Sequence, residues 1–97
     1  MSTISEGAPR ATYAIASAIL KYLADNPNRT MSEIVKATGI SRRQFSVTIG
    51  HLTDPDFVRC GYETRTTDRS VNFYIYNIDS ERPLESMLRQ LRQKLPD

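Results

Sequence analysis

Apolar residues recur with helical spacing at the start of the chain. Ala11, Ala14, Ile15, Ala18, Ile19, Tyr22 and Leu23 fall at i, i+3, i+4, i+7, i+8, i+11 and i+12, a stripe that must be buried. Pro9 suits the first turn of that helix, and Asn26-Pro27-Asn28 ends it. A short helix after Thr30 should turn Ile34 and Val35 inward, with Thr38 as a further inward candidate, and Ile40 should plug the turn that follows. After Ser41, Phe45, Ile49 and Leu52 repeat at i, i+4 and i+7 and define the core face of a third helix. Asp54-Pro55 should close it, because the residue before proline avoids the helical region. The period then shortens. Residues 57–64 and 71–78 are rich in β-branched and aromatic side chains and alternate, which predicts two strands. Val58, Cys60 and Tyr62 share one face of the first, so Cys60 is expected to be buried as a small hydrophobe. Tyr74 and Tyr76 lie opposite Phe73 and Ile75 on the second. Between the strands, Arg65-Thr66-Thr67-Asp68-Arg69-Ser70 forms a hairpin with a basic tip. Asp79 or Ser80 can cap a last helix with Pro83 in its first turn. There Leu84, Leu88, Leu91 and Leu95 follow 4-3-4 spacing with Met87 beside them, about two heptads of a coiled-coil seam.

Two helix starts carry an explicit signal. Thr30-x-x-Glu33 and Ser41-x-x-Gln44 both fit a capping box, in which the hydroxyl accepts from an amide three residues on and the Glu or Gln reaches back. Gly39 stands where the first of these helices must stop, and glycine takes the left-handed conformation at little cost. Two short helices joined by a tight turn make a helix-turn-helix. The core face assigned above leaves Arg42, Arg43, Ser46, Val47 and Gly50 on the outside of the third helix, with Gln44 and His51 at its margins. Arginine at a helix N-terminus is mildly unfavourable, by roughly 0.3–1 kcal/mol, so two in succession favour a binding role over an ordinary solvated turn. One can pair with guanine and the other with phosphate. Gln44 has two competing roles, reading adenine or closing the box on Ser41. Val47 can touch a thymine methyl and Ser46 a phosphate or base.

The order of helix, capped helix, turn, capped helix and hairpin over residues 11–78 resembles the winged helix-turn-helix superfamily, and within it small prokaryotic and phage transcription regulators of the MarR and ArsR type. The residues that carry the resemblance are Glu33-Ile34-Val35, Thr38-Gly39-Ile40-Ser41, Phe45, Ile49-x-x-Leu52, and the step from Leu52 into Phe57-Val58-Arg59. This chain has Val35 where the family often has a small residue, and Asp56 where a glycine often precedes the wing strand. The resemblance implies an α+β winged helix-turn-helix that binds DNA, usually as a two-fold dimer, with the third helix in the major groove and the wing on the backbone or minor groove. On that reading residues 1–8 form a flexible tail, 9–78 the DNA-binding domain, and 79–97 a C-terminal dimerisation helix. The expected DNA-binding residues are Ser41, Arg42, Arg43, Gln44, Ser46, Val47, His51, Arg65, Thr67 and Arg69. The expected dimer seam is Leu84, Met87, Leu88, Leu91 and Leu95.

Bulk properties narrow the remaining classes. Ninety-seven residues make one small domain with a modest core. A single cysteine excludes an internal disulfide, and one cysteine with one histidine argues against a structural zinc site. No apolar run is long enough to span a membrane and no signal peptide is visible, which favours a cytoplasmic, nucleoid-associated protein. The net charge of +2 matters less than its concentration on the third helix and the wing. No catalytic triad, glycine-rich phosphate loop or paired-carboxylate motif is present, so an enzyme is the least supported class and no cofactor is expected. The leading expectation is a dimeric, sequence-specific repressor that reads a palindromic operator in duplex DNA. The alternatives are a protein-protein adaptor acting through the leucine-rich last helix, and a single-strand binder stacking bases on Tyr74 and Tyr76.

Overall fold

The computed structural model describes residues 10–66 and 70–96, with side chains throughout except at 63–66 and 70–73. The tail expected at 1–8, Pro9, and the tip residues Thr67 and Arg69 lie outside the described residues. The chain is α+β. Its described elements are α1 (Tyr13–Asp25), α2 (Met31–Thr38), α3 (Arg42–Thr53), β1 (Val58–Thr66), β2 (Ser70–Ile78) and α4 (Leu84–Lys94).

α1 begins later than the apolar spacing suggested. Thr12 is its N-cap, its hydroxyl accepting from the Ile15 amide at 3.3 Å. The Tyr13 amide, left without a partner inside the helix, donates to the Pro96 carbonyl at 2.7 Å. The buried residues are Ala16, Ser17, Ile19, Leu20 and Leu23. Ala14, assigned to the inward stripe, is exposed, while Ile15, Ala18 and Tyr22 are half-buried. The buried arc is turned and widened because α1 is the central helix: α2 and α3 pack on it, and so does α4.

Both capping boxes form. The Thr30 hydroxyl accepts from the Glu33 amide at 3.2 Å and the Glu33 carboxylate from the Thr30 amide at 2.9 Å. At α3, the Ser41 hydroxyl accepts from the Gln44 amide at 3.0 Å and the Gln44 side chain from the Ser41 amide at 2.9 Å. Gly39 ends α2 at φ +80°, its amide donating to the Val35 carbonyl. α3 buries Phe45, Thr48 and Leu52, with Ile49 half-buried beside them.

α3 ends where Asp54-Pro55 suggested, at Thr53 with Asp54 as its C-cap, but not for the conformational reason expected of a residue before proline. Asp54 keeps helical angles (φ −61°, ψ −48°) despite preceding proline. The left-handed residue that turns the chain away comes two positions later. Asp56 takes φ +61°, its amide donates to the Thr53 carbonyl, and the Phe57 amide donates to the Leu52 carbonyl at 2.9 Å. Those two bonds form a Schellman motif with Asp56 in the left-handed position that glycine usually fills.

β1 and β2 pair antiparallel from Val58↔Ile78 to Thr66↔Ser70. On its other edge β2 is bridged by Arg29, whose amide and carbonyl bond the Tyr76 carbonyl and amide at 3.3 and 2.8 Å. Asn28, at φ +59°, and Asn77 lock that bridge through two 2.6 Å hydrogen bonds. β2 is thus the middle of the arrangement and β1 its open edge. The base of the hairpin rests on the helices: Val58 is buried, and Tyr76 meets Phe45 edge-to-face at 5.2 Å. Cys60, opposite Tyr76 on the edge strand, is exposed rather than buried.

α4 is not capped by Asp79 or Ser80. Its N-cap is Pro83, with no side-chain cap bond. Asp79 instead accepts from the Glu81 amide and pairs with Arg82 at 3.3 Å. The expected dimer seam is largely spent within the chain. Met87, Leu91 and Leu95 lie in the same core as Ala16, Ile19, Leu20, Leu23, Ile34, Phe45, Leu52, Phe57 and Val58, and Leu84 and Leu88 pack half-buried against it. Residues 84–95 are therefore part of the one hydrophobic core, not an appendage to it. The reason is α1, whose second apolar face would otherwise be bare.

Candidate nucleic-acid interface

The core decides which side of α3 is free. With Phe45, Thr48 and Leu52 buried, Arg42, Arg43, Ser46, Val47, Gly50 and His51 are exposed along the opposite side. Val47 is 39% exposed, one of three large apolar or aromatic side chains left open among the described residues. No aspartate or glutamate occurs between Arg42 and Thr53, and the first turn has no acid to offset its arginines. Ser41 is exposed, but its hydroxyl is committed to the cap, as is the half-buried Gln44. That bond commits the Gln44 side-chain oxygen to the helix start.

The two arginines are held differently. Arg42 donates from Nη2 to the Ser32 hydroxyl of α2 at 3.2 Å, which ties the two helices together and aims its guanidinium. Arg43 makes no hydrogen bond or ion pair among the described residues. Its five donors face solvent at the amino end of an acid-free helix face. Arg29 and Glu33 pair at 3.8 Å beside the α2 cap, so the nearby acid is already engaged.

The hairpin carries the second group. Arg59 is exposed on β1. Arg65 lies on the backbone of β1 near the tip, and its side chain, like Thr67 and Arg69, falls outside what the structure describes. Register brings together two aromatic residues that the sequence did not pair. Tyr62 and Tyr74 face each other across the strands, 68% and 57% exposed, with ring centroids 4.5 Å apart. The Tyr62 hydroxyl donates to that of Tyr74 at 2.7 Å. This bond holds the Tyr62 phenol above its usual value, with smaller contributions from desolvation and from the charges of Tyr74 and Cys60. Tyr76, the other candidate for base stacking, is half-buried under Phe45, and burial, then the Cys60 thiol, raises its phenol. The open pair is thus Tyr62 and Tyr74, not Tyr74 and Tyr76. The signal that would have found it is the length of the turn, since counting back from a three-residue connection sets Tyr62 against Tyr74.

A further basic set lies on α4 and the turn that precedes it. Arg92 stacks over the Tyr13 ring at 4.1 Å and Arg82 over Phe57 at 5.2 Å, so both work partly as covers for aromatic surface. Arg89 and Lys94 are exposed. Among the described residues no group of three or more His, Cys, Asp or Glu could hold a metal ion, and no helix is long and apolar enough to cross a membrane. Compared with family models, curated proteins and solved structures, the chain matches none.

Proposed function

We propose that this chain is a winged helix-turn-helix regulator that binds duplex DNA and reads sequence with α3. The observation that carries the reading is the outer face of α3: exposed, free of acids, and headed by two arginines of which Arg43 has no partner among the described residues. An unneutralised pair at a positive helix end is unfavourable in isolation and favourable against phosphate and guanine. In this reading α3 enters the major groove. Arg42, steadied by Ser32, takes a phosphate, Arg43 pairs with guanine, and Ser46 and Val47 meet the next bases. Ser41 and His51 border the groove, and the wing, through Arg65, Thr67 and Arg69, anchors the backbone.

The proposed mode of action is that of a cytoplasmic, nucleoid-associated repressor that blocks polymerase by occupying its operator. A homodimer would set two half-sites about one helical turn apart. Since Met87, Leu91 and Leu95 are buried in their own core, such a dimer draws on the half-buried Leu84 and Leu88 and the outer face of α4. A protein adaptor, the other class of reading, has no use for an acid-free arginine-headed helix.

The test is selection of bound sequences from a random duplex pool at two salt concentrations, followed by Arg43→Ala on the selected site. Enrichment of a palindrome is expected, with Arg43→Ala losing roughly 1–3 kcal/mol and relaxing preference at one base position. Salt-sensitive binding without enrichment would replace sequence reading with architectural binding. No duplex binding at low salt would end the DNA reading and leave the adaptor.

A further inference from the structure

Glycine inside a helix is destabilising relative to alanine, because the unfolded chain has more backbone freedom to lose. A fold has its own reasons to keep one when the backbone needs positive φ or when neighbouring atoms crowd the Cα. Gly39 is the first kind, at φ +80°. Gly50 is neither. It lies inside α3 with φ outside the left-handed region, it is exposed, and a Cβ built on it meets no atom of the described residues within 4 Å beyond its own stretch of helix. Nothing among the described residues asks for the missing side chain.

Its position gives it an external role. Gly50 follows Arg43 by seven residues and Ser46 by four, so it continues the exposed row Arg43, Ser46, Val47 toward the carboxyl end of α3. That row is about 10 Å long, the span of about three base-pair steps. A helix with its side chains is about 10–12 Å across and the major groove about 12 Å wide, so a seated helix has little lateral clearance. Where it passes the strand bordering the groove, bare backbone permits a closer approach than any side chain.

We infer that Gly50 is the point of closest approach between α3 and DNA, where a sugar–phosphate strand packs against uncovered helix backbone. The inference rests on the reading of α3 as the DNA-binding helix. It assigns the two ends of the row different tasks: the arginine end supplies charge and donors, and the Gly50 end sets how deeply the helix sits. Depth in turn decides whether Ser46 and Val47 reach base edges, so Gly50 acts as a positioning residue for them.

The experiment compares the full-length parent with Gly50→Ala and Gly50→Leu, measuring thermal unfolding and affinity for the selected duplex. Both substitutions favour the helix, so Gly50→Ala should raise Tm by about 3–6 °C. Duplex affinity should fall at least tenfold for alanine and further for leucine, a stabilised protein that binds less well. If the parent binds the duplex and Gly50→Ala binds it equally well, the inference is overturned while the DNA reading stands. If Gly50→Ala lowers Tm, the fold itself requires the glycine and the inference is again overturned. A parent that binds no duplex overturns both, and shows it before any substitution is made.

Discussion

Single residues in this chain show where local preference and the fold disagree. Thr48 is fully buried on the inner face of α3 and its hydroxyl has no hydrogen-bond partner among the described residues. An unpaired buried hydroxyl costs roughly 1–3 kcal/mol, and valine offers the same branched shape without it. Thr48→Val should therefore stabilise the domain by about 1 kcal/mol in urea unfolding; a loss would mean that the hydroxyl has a partner in solution. Asp56 is the second case. It holds φ +61° to complete the Schellman motif. Aspartate tolerates this conformation better than most residues, yet still at a cost that glycine avoids. Asp56→Gly should gain about 0.5–1 kcal/mol, read as a rise in thermal midpoint. Here aspartate holds the left-handed position that glycine usually fills in a Schellman motif. Aspartate in sequence gave no sign of it, since its usual reading is a turn or a cap.

At the scale of elements, what was legible followed from local chemistry. Both capping boxes, the Gly39 stop and the hairpin depend on residues within a few positions of one another, and all are present. The misreadings came from elements whose surroundings decide the outcome. The start of α1 is set by Thr12 and by a carbonyl from Pro96 at the far end of the chain. The exposure of Cys60 follows from the open edge of β1, which an alternating pattern does not reveal. The hairpin makes its own prediction. The Tyr62 phenol donates to Tyr74, which favours its protonated form and raises its ionisation above the usual value of about 10. A raised folded-state value means that the contribution of this bond is fully present below about pH 10 and is lost as pH climbs through the raised value. In an ultraviolet phenolate titration, Tyr62 should ionise late, and Tyr74→Phe should return it toward the ordinary range. Unchanged titration in that variant would show that the pair is open in solution.

The whole molecule is one core, and α4 belongs to it. Leu91 is completely buried among residues of α1, so Leu91→Ala should cost about 2–5 kcal/mol. Because the lost contacts lie within one chain, that loss should be the same when urea unfolding is repeated at tenfold higher protein concentration. A loss that grows or shrinks with concentration would return the seam to a dimer interface. The leucine spacing alone could not choose between these fates, because a heptad seam describes a face and not its partner. The sequence by itself determined what short-range hydrogen bonding controls: two capped helices, the turn between them, and the outer face of α3 with Arg42, Arg43, Ser46 and Val47 exposed. Only the tertiary structure decided that α1 is covered on two sides, that Met87, Leu91 and Leu95 fill the core, and that Tyr62 and Tyr74 meet in the open. Those outcomes depend on which surfaces distant segments bury against each other, and that is set by the packing of the whole chain rather than by any window of it.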